Sequence, residues 1–182
     1  MKRIVTGHGA DGKSIFVSAG APPHTISATA MRWHEIWGTF PEDGVSSPAP
    51  GEEPYNDPRW VSVFPPVGHT AFRIIEFRPE EYQHAPNKPL WDEVEMDHVR
   101  HNLPGVLEHL EPENPGMHTT DTIDYGVVLS GRIVLELDDG ASVELEAGDV
   151  VVQNGTRHAW RPKERTRMAF FMIGAQRKRT AS

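Results

Sequence analysis

From Met117 to Gly174 the order of apolar and polar residues is almost continuously that of β-strands. Ile123–Ser130, Arg132–Leu137, Ser142–Leu145, Asp149–Gln153 and Arg167–Ile173 are short runs rich in β-branched or apolar side chains. Ser-Gly, Asp-Asp-Gly, Glu-Ala-Gly-Asp and Asn-Gly divide them, and these are residues that tight turns between antiparallel strands use. Such spacing predicts an all-β sandwich or barrel. Weaker strand-like pieces precede it at Arg3–Thr6, Ser14–Ser18, Met31–Trp37 and Trp60–Phe64. Between them Phe40–Pro58, interrupted by Pro41, Pro48, Pro50, Pro54 and Pro58, is too polar and broken for a regular element. It is expected to wrap the surface or cover an opening. After a strand at Ala71–Phe77, Glu80–Glu113 is the one good helix candidate, with Leu90, Val94, Val99 and Leu103 as a loose apolar stripe and Pro104 to end or kink it. The chain therefore reads as one structural domain: an N-terminal extension at 1–66, a barrel at 67–176 with a helical insertion at about 80–113, and a disordered basic tail at 177–182.

Composition narrows the partners. The 182 residues carry 18 basic and 26 acidic side chains, a formal charge of −8, which is the wrong sign for phosphate backbones or anionic membrane surfaces. Neither nucleic acid nor membrane is an expected partner. No cysteine is present, so disulfides, thiolate catalysis and Cys-ligated zinc are excluded. No apolar run approaches the ~18 residues of a membrane span, and the N-terminal stretch lacks a signal-peptide core, so the expected compartment is the cytoplasm.

One motif invites a nucleotide reading. Gly7-His-Gly-Ala-Asp-Gly-Lys-Ser14 satisfies the phosphate-loop pattern, whose glycine amides cradle phosphates at the start of a helix. Here Ile15-Phe16-Val17-Ser18 follows, which is a strand, and Gly20 and Pro22-Pro23 then break the chain. The expectation is a β-hairpin around a Gly/Asp turn.

The informative chemistry lies at residues 116–160. His118, Thr120, Thr122 and Asp124 share one parity and would project to one face of an extended strand. Further on, Gly148-Asp-Val-Val-Val-Gln153-Asn-Gly155-Thr-Arg-His158-Ala-Trp160 reads as a strand ending in a tight turn that delivers His158. Together these stretches resemble the two motifs of the cupin superfamily. His118 falls on the first histidine of the first motif, Asp124 on its glutamate and Gly131 on its closing glycine; His158 falls on the last histidine of the second motif. Thr120 stands at the second histidine position and Gln153 where proline is usual, so the family's three-His-one-Glu ligand set is incomplete.

The resemblance implies an antiparallel jelly-roll barrel with extra N-terminal strands and one short helical insertion, pairing as a homodimer. It further implies a small organic molecule as ligand. Two functional readings stay open. In one, His118, Asp124 and His158 hold Fe, Mn, Ni or Zn as a two-His-one-carboxylate site of an oxygenase-like enzyme. In the other the protein is a non-catalytic small-molecule binder, or a metal-free isomerase or cyclase in which His118 and Asp124 act as a catalytic pair. Thr120, Thr122, Gln153, Trp160 and Arg73 are the further pocket candidates, Arg73 as a partner for an anionic group. Tyr125 has the opposite parity and is a weak acid candidate; His98 and His101 read as a solvated helix face.

Overall fold

The computed structural model describes residues 1–45, 48–49, 51–79 and 91–178. Among them are eleven strands and two short α-helices: β1 (Arg3–His8), β2 (Ser14–Gly20), β3 (Thr25–Ala28), β4 (Met31–Thr39), β5 (Thr70–Phe77), α1 (Glu93–Asn102), α2 (Val106–His109), β6 (Thr122–Ser130), β7 (Arg132–Glu136), β8 (Ser142–Glu146), β9 (Val150–Asn154), β10 (Ala159–Pro162) and β11 (Thr166–Gly174). Six strands form one sheet in the order β3-β4-β5-β11-β6-β9, and β10-β7-β8 form a second. All pairings are antiparallel, and the fold is an all-β jelly roll.

Strand alternation builds the interior. Ala71, Arg73 and Ile75 of β5, Met168, Phe170 and Met172 of β11, and Thr122, Asp124 and Val128 of β6 all turn inward. Ile133, Leu135 and Leu145 of the smaller sheet are buried as well, in one core cluster with the apolar members of that set. Burying one such large apolar side chain contributes roughly 1.5–3 kcal/mol, so this face dominates the stability of the barrel.

β1 and β2 form the expected hairpin around the phosphate-loop pattern. The Gly9 N–H donates to the Lys13 carbonyl at 2.8 Å, and Gly12 turns at φ +77°. The Lys13 side chain is exposed and paired with Asp11, and a strand rather than a helix follows it.

The structure departs from the sequence reading in four places. Trp60–Phe64 forms no strand, although its composition suits one. Instead Val63 is buried, its N–H donates to the Pro104 carbonyl and its own carbonyl accepts from Arg73, so tertiary contacts override local preference. β3 and β10, four residues each, are too short to stand out from their turns. The insertion holds two helices. Asp92 caps α1 by accepting from the Glu95 N–H at 2.9 Å, and α2 follows Gly105, which turns at φ +90° where a β-carbon would lie 2.3 Å from the Ser62 hydroxyl. Val94 is exposed, because it lies ~140° round the helix from Val99, whereas Val99 and Leu103 share the buried face. Leu90 and the rest of 80–90 lie outside the described residues. Finally, Arg177 is no free basic end: its guanidinium donates to the carbonyls of Thr120 and Gly155, each at 2.9 Å, and pairs with Asp121. Residues 179–182 lie outside the described residues. No described helix is long and apolar enough to cross a membrane.

Candidate functional site

A cavity of about 170 Å³ opens inside the barrel under the α1–α2 insertion. Its wall is mainly apolar, with Trp33, Trp91, Phe170 and Met172 prominent, and its polar groups include His118, His158, Asp124 and Arg73. Trp160, expected at the pocket, lines it too and stands edge-on to His158, with ring centroids 5.8 Å apart.

His118 and His158 come together. Each donates its backbone N–H to the other's carbonyl at 2.9 Å, and their ring centroids are 4.2 Å apart. The Nδ1 of His118 lies 3.0 Å from the Gly116 carbonyl, and the Nδ1 of His158 lies 2.9 Å from the Thr156 carbonyl. A carbonyl only accepts, so both Nδ1 atoms carry the hydrogen, and in the neutral rings both Nε2 atoms hold a lone pair. Burial, reinforced by the neighbouring His118, pushes His158 down to about 4. His118 is lowered too, chiefly by burial, with its Gly116 contact acting the other way. Both rings are therefore neutral at pH 7.

Asp124 is not part of that pair. Among the described residues no hydrogen bond or ion pair joins it to either imidazole. Burial raises its carboxyl to about 6, against the lowering effects of the Thr122 hydroxyl and the Arg73 charge, and its Oδ1 has no partner. The expected His118–Asp124 pair is thus not formed. His118 and Asp124 both line the cavity, but His118 sits before β6, bridged to Leu110 and His158. From Thr120 onward the parity holds: Thr120, Thr122 and Asp124 are all buried. Thr120 and Thr122 join hydroxyls at 2.8 Å, and neither lines the cavity. Gln153 is buried opposite Asp124, turned away to Thr156, and does not line it either.

Arg73 is 1% exposed and pairs across the sheet with Glu35, N to O 3.3 Å. Trp33 donates its indole N–H to the same Glu35 oxygen at 2.6 Å, and the guanidinium lies over the Trp33 ring. The sequence reading missed Glu35. Its signal was parity: Glu35 shares the inward face of β4 with Trp33 and stands in register with Arg73. Tyr125 points outward, as its parity predicts.

The donor set can be tested for a metal. Among the described residues, no three His, Asp or Glu side chains gather closely enough to hold an ion. Two imidazoles of the right tautomer fit such a role; the carboxylate of the expected triad does not join them.

Comparison with known proteins follows the same residues. Residues 106–174 match the family model described as a cupin domain. The chain is 52% identical over 83 residues to phomopsin biosynthesis cluster protein C' of Diaporthe leptostromiformis, a match covering 41% of this chain and 44% of that protein. It is 43% identical over 44 residues to the cupin-domain-containing oxidoreductase virC of Hypocrea virens, covering 24% of this chain and 23% of that one. The matches thus span less than half the length of these relatives. Among solved structures, ectoine synthase from P. lautus aligns over 84% of this chain and 70% of its own, with 9% identity and a TM-score of 0.42. The strand order and the paired histidines at the two motif positions agree with that match to the cupin domain over residues 106–174.

Proposed function

We propose that this chain is a small-molecule enzyme in which an apolar organic ligand enters the barrel and presents a reactive group to His118 and His158. The observation that carries this reading is the pair itself: two neutral imidazoles, each anchored through Nδ1, on a mainly apolar wall. Nε2 is the nitrogen each ring has left to accept a proton or polarise a ligand hydroxyl, which suits an isomerase- or cyclase-type proton transfer. Similarity to a biosynthesis cluster protein and to a cupin-domain oxidoreductase supports an enzyme over a passive binder. We further assign the protein to the cytoplasm as a homodimer.

A second reading is favoured by the same tautomers, because imidazoles that ligate metals donate their other nitrogen to a carbonyl or carboxylate in this way. Fe, Mn, Ni or Zn bound at the pair would supply Lewis-acid or redox chemistry. His118 and His158 would be its protein donors.

Ring proton–nitrogen NMR spectra test the central assignment. Both histidines should be neutral Nδ1–H tautomers at pH 7, and both Nε2 signals should shift when acetophenone, a neutral one-ring probe, is added. Binding of the probe that leaves both signals unmoved removes this pair from the centre of the site.

A further inference from the structure

Two buried groups facing the cavity are left with unmet hydrogen-bonding capacity. The Nη2 of Arg73 is taken by the Val63 carbonyl and Glu35, but its Nε and Nη1 have no partner; nor does Oδ1 of Asp124. A buried polar group without a partner costs free energy, and a charged one costs more, so some occupant of the cavity is expected to meet at least the Arg73 donors. Arg73 lies on β5 and Asp124 on β6, on either side of β11, where Arg73 faces Phe170 and Asp124 faces Met172. Sheet spacing sets their strands ~10 Å apart, and no ion pair joins them.

Charge decides what the occupant is. One guanidinium pairs with Glu35 and acts on Asp124 only through its charge at a distance, and burial raises both carboxyl groups. A ligand carboxylate would be a third acid around one cation, desolvated against an apolar wall. An ammonium group would repel Arg73 and leave its two donors unmet. The second arginine at the cavity, Arg161, is committed elsewhere, its nitrogens donating to Glu136, Asn114 and the Pro115 carbonyl. We infer that the ligand carries an uncharged oxygen, a carbonyl or hydroxyl group, that accepts from Arg73 beside Asp124, and that carboxylates and amines are refused.

This rests on the ligand cavity of the proposed function and adds the chemical class of what fills it. The volume suits one ring, since a cavity of ~150 Å³ takes up benzene. Four probes of that size separate the possibilities: acetophenone, ethylbenzene, benzoate and benzylamine, titrated at pH 7.5 by ligand-observed NMR. Acetophenone should bind about tenfold tighter than either charged probe and about fivefold tighter than ethylbenzene. The double variant Glu35→Gln/Arg73→Met, which leaves neither charge unpaired, should erase its advantage over ethylbenzene; retention of that advantage in a folded double variant overturns the inference. Should the variant fail to fold, the four-probe ranking on the unaltered chain decides. Benzoate, benzylamine or ethylbenzene binding as tightly as acetophenone overturns the inference while the ligand cavity stands. Absence of binding by all four overturns the cavity reading, and the inference with it.

Discussion

His118 and His158 bind each other through the backbone before their side chains meet: each N–H reaches the other's carbonyl at 2.9 Å, and the rings then lie 4.2 Å apart. Their separation is thus fixed by the main chain. The segment ahead of β6 and the turn after β9 are held together at the one point where both present an imidazole.

The acid response of the barrel should reveal two opposed groups. Asp124 titrates at about 6 in the fold against an ordinary value of 3.8, so its contribution to stability falls as pH rises from 4 to 6. His158 titrates at about 4 against 6.5, so its contribution falls as pH drops from 6.5 to 4. These slopes offset one another in the unaltered chain. Asp124→Asn should gain on the wild type by on the order of 2 kcal/mol between pH 4 and 6, whereas the deficit of His158→Gln should shrink on acidification. Urea denaturation at half-unit pH steps measures both, and difference curves without slope would show that neither group is perturbed.

Metal binding, where it occurs, should depend on two residues rather than three. Zinc competed against a fluorescent chelator should be lost from His118→Ala and from His158→Ala, yet kept to within about threefold by Asp124→Asn and Thr120→Val. Equal loss in Asp124→Asn and His158→Ala would restore the carboxylate to the ligand set.

Gly155 sits at φ +59° in the turn that leads to His158, and a β-carbon there would lie 2.9 Å from the Thr120 carbonyl. Gly155→Val should therefore destabilise the protein by ~1–3 kcal/mol and lower its thermal midpoint. An unchanged midpoint would mean that the turn accommodates a branched side chain.

The proposed homodimer has a candidate face. Trp37, Phe72, Phe171, Tyr125 and Val152 stand in register across five strands of the larger sheet, with Phe72 and Phe171 stacked at 4.2 Å and Phe171, Tyr125 and Val152 exposed. Light scattering should give twice the chain mass for the wild type and a monomer for Phe171→Glu. A variant that remains dimeric would place the contact elsewhere.

Much of this molecule was legible from strand parity. Thr120, Thr122 and Asp124 turn inward and Tyr125 outward because an extended chain alternates, and the same rule would have found Glu35 beside Trp33. Parity assigns side chains to a face but does not say which of them touch. His118 is held by isolated bridges to Leu110 and His158 outside the named strands, and its ring turns to the Gly116 carbonyl, so its neighbour is an imidazole from another motif and not the carboxylate six residues along. Trp60–Phe64 failed for a related reason: its preferences are those of a strand, but its polar groups are claimed by Pro104 and Arg73 from distant parts of the chain.

The insertion meets the site at its edge. Trp91 and Glu95 tie α1 to the turn between β3 and β4 through the backbone of Thr29, and Leu110 bridges directly to His118. The imidazoles belong to the barrel, whereas part of the roof above them is lent by a segment outside the sheets. Under the proposed function, chemistry and selectivity are therefore carried by separable pieces of chain. Residues of the insertion that line the cavity, such as Trp91, Val106 and Leu110, can be exchanged to admit a different ligand while the paired histidines keep the geometry that their mutual backbone bridge imposes.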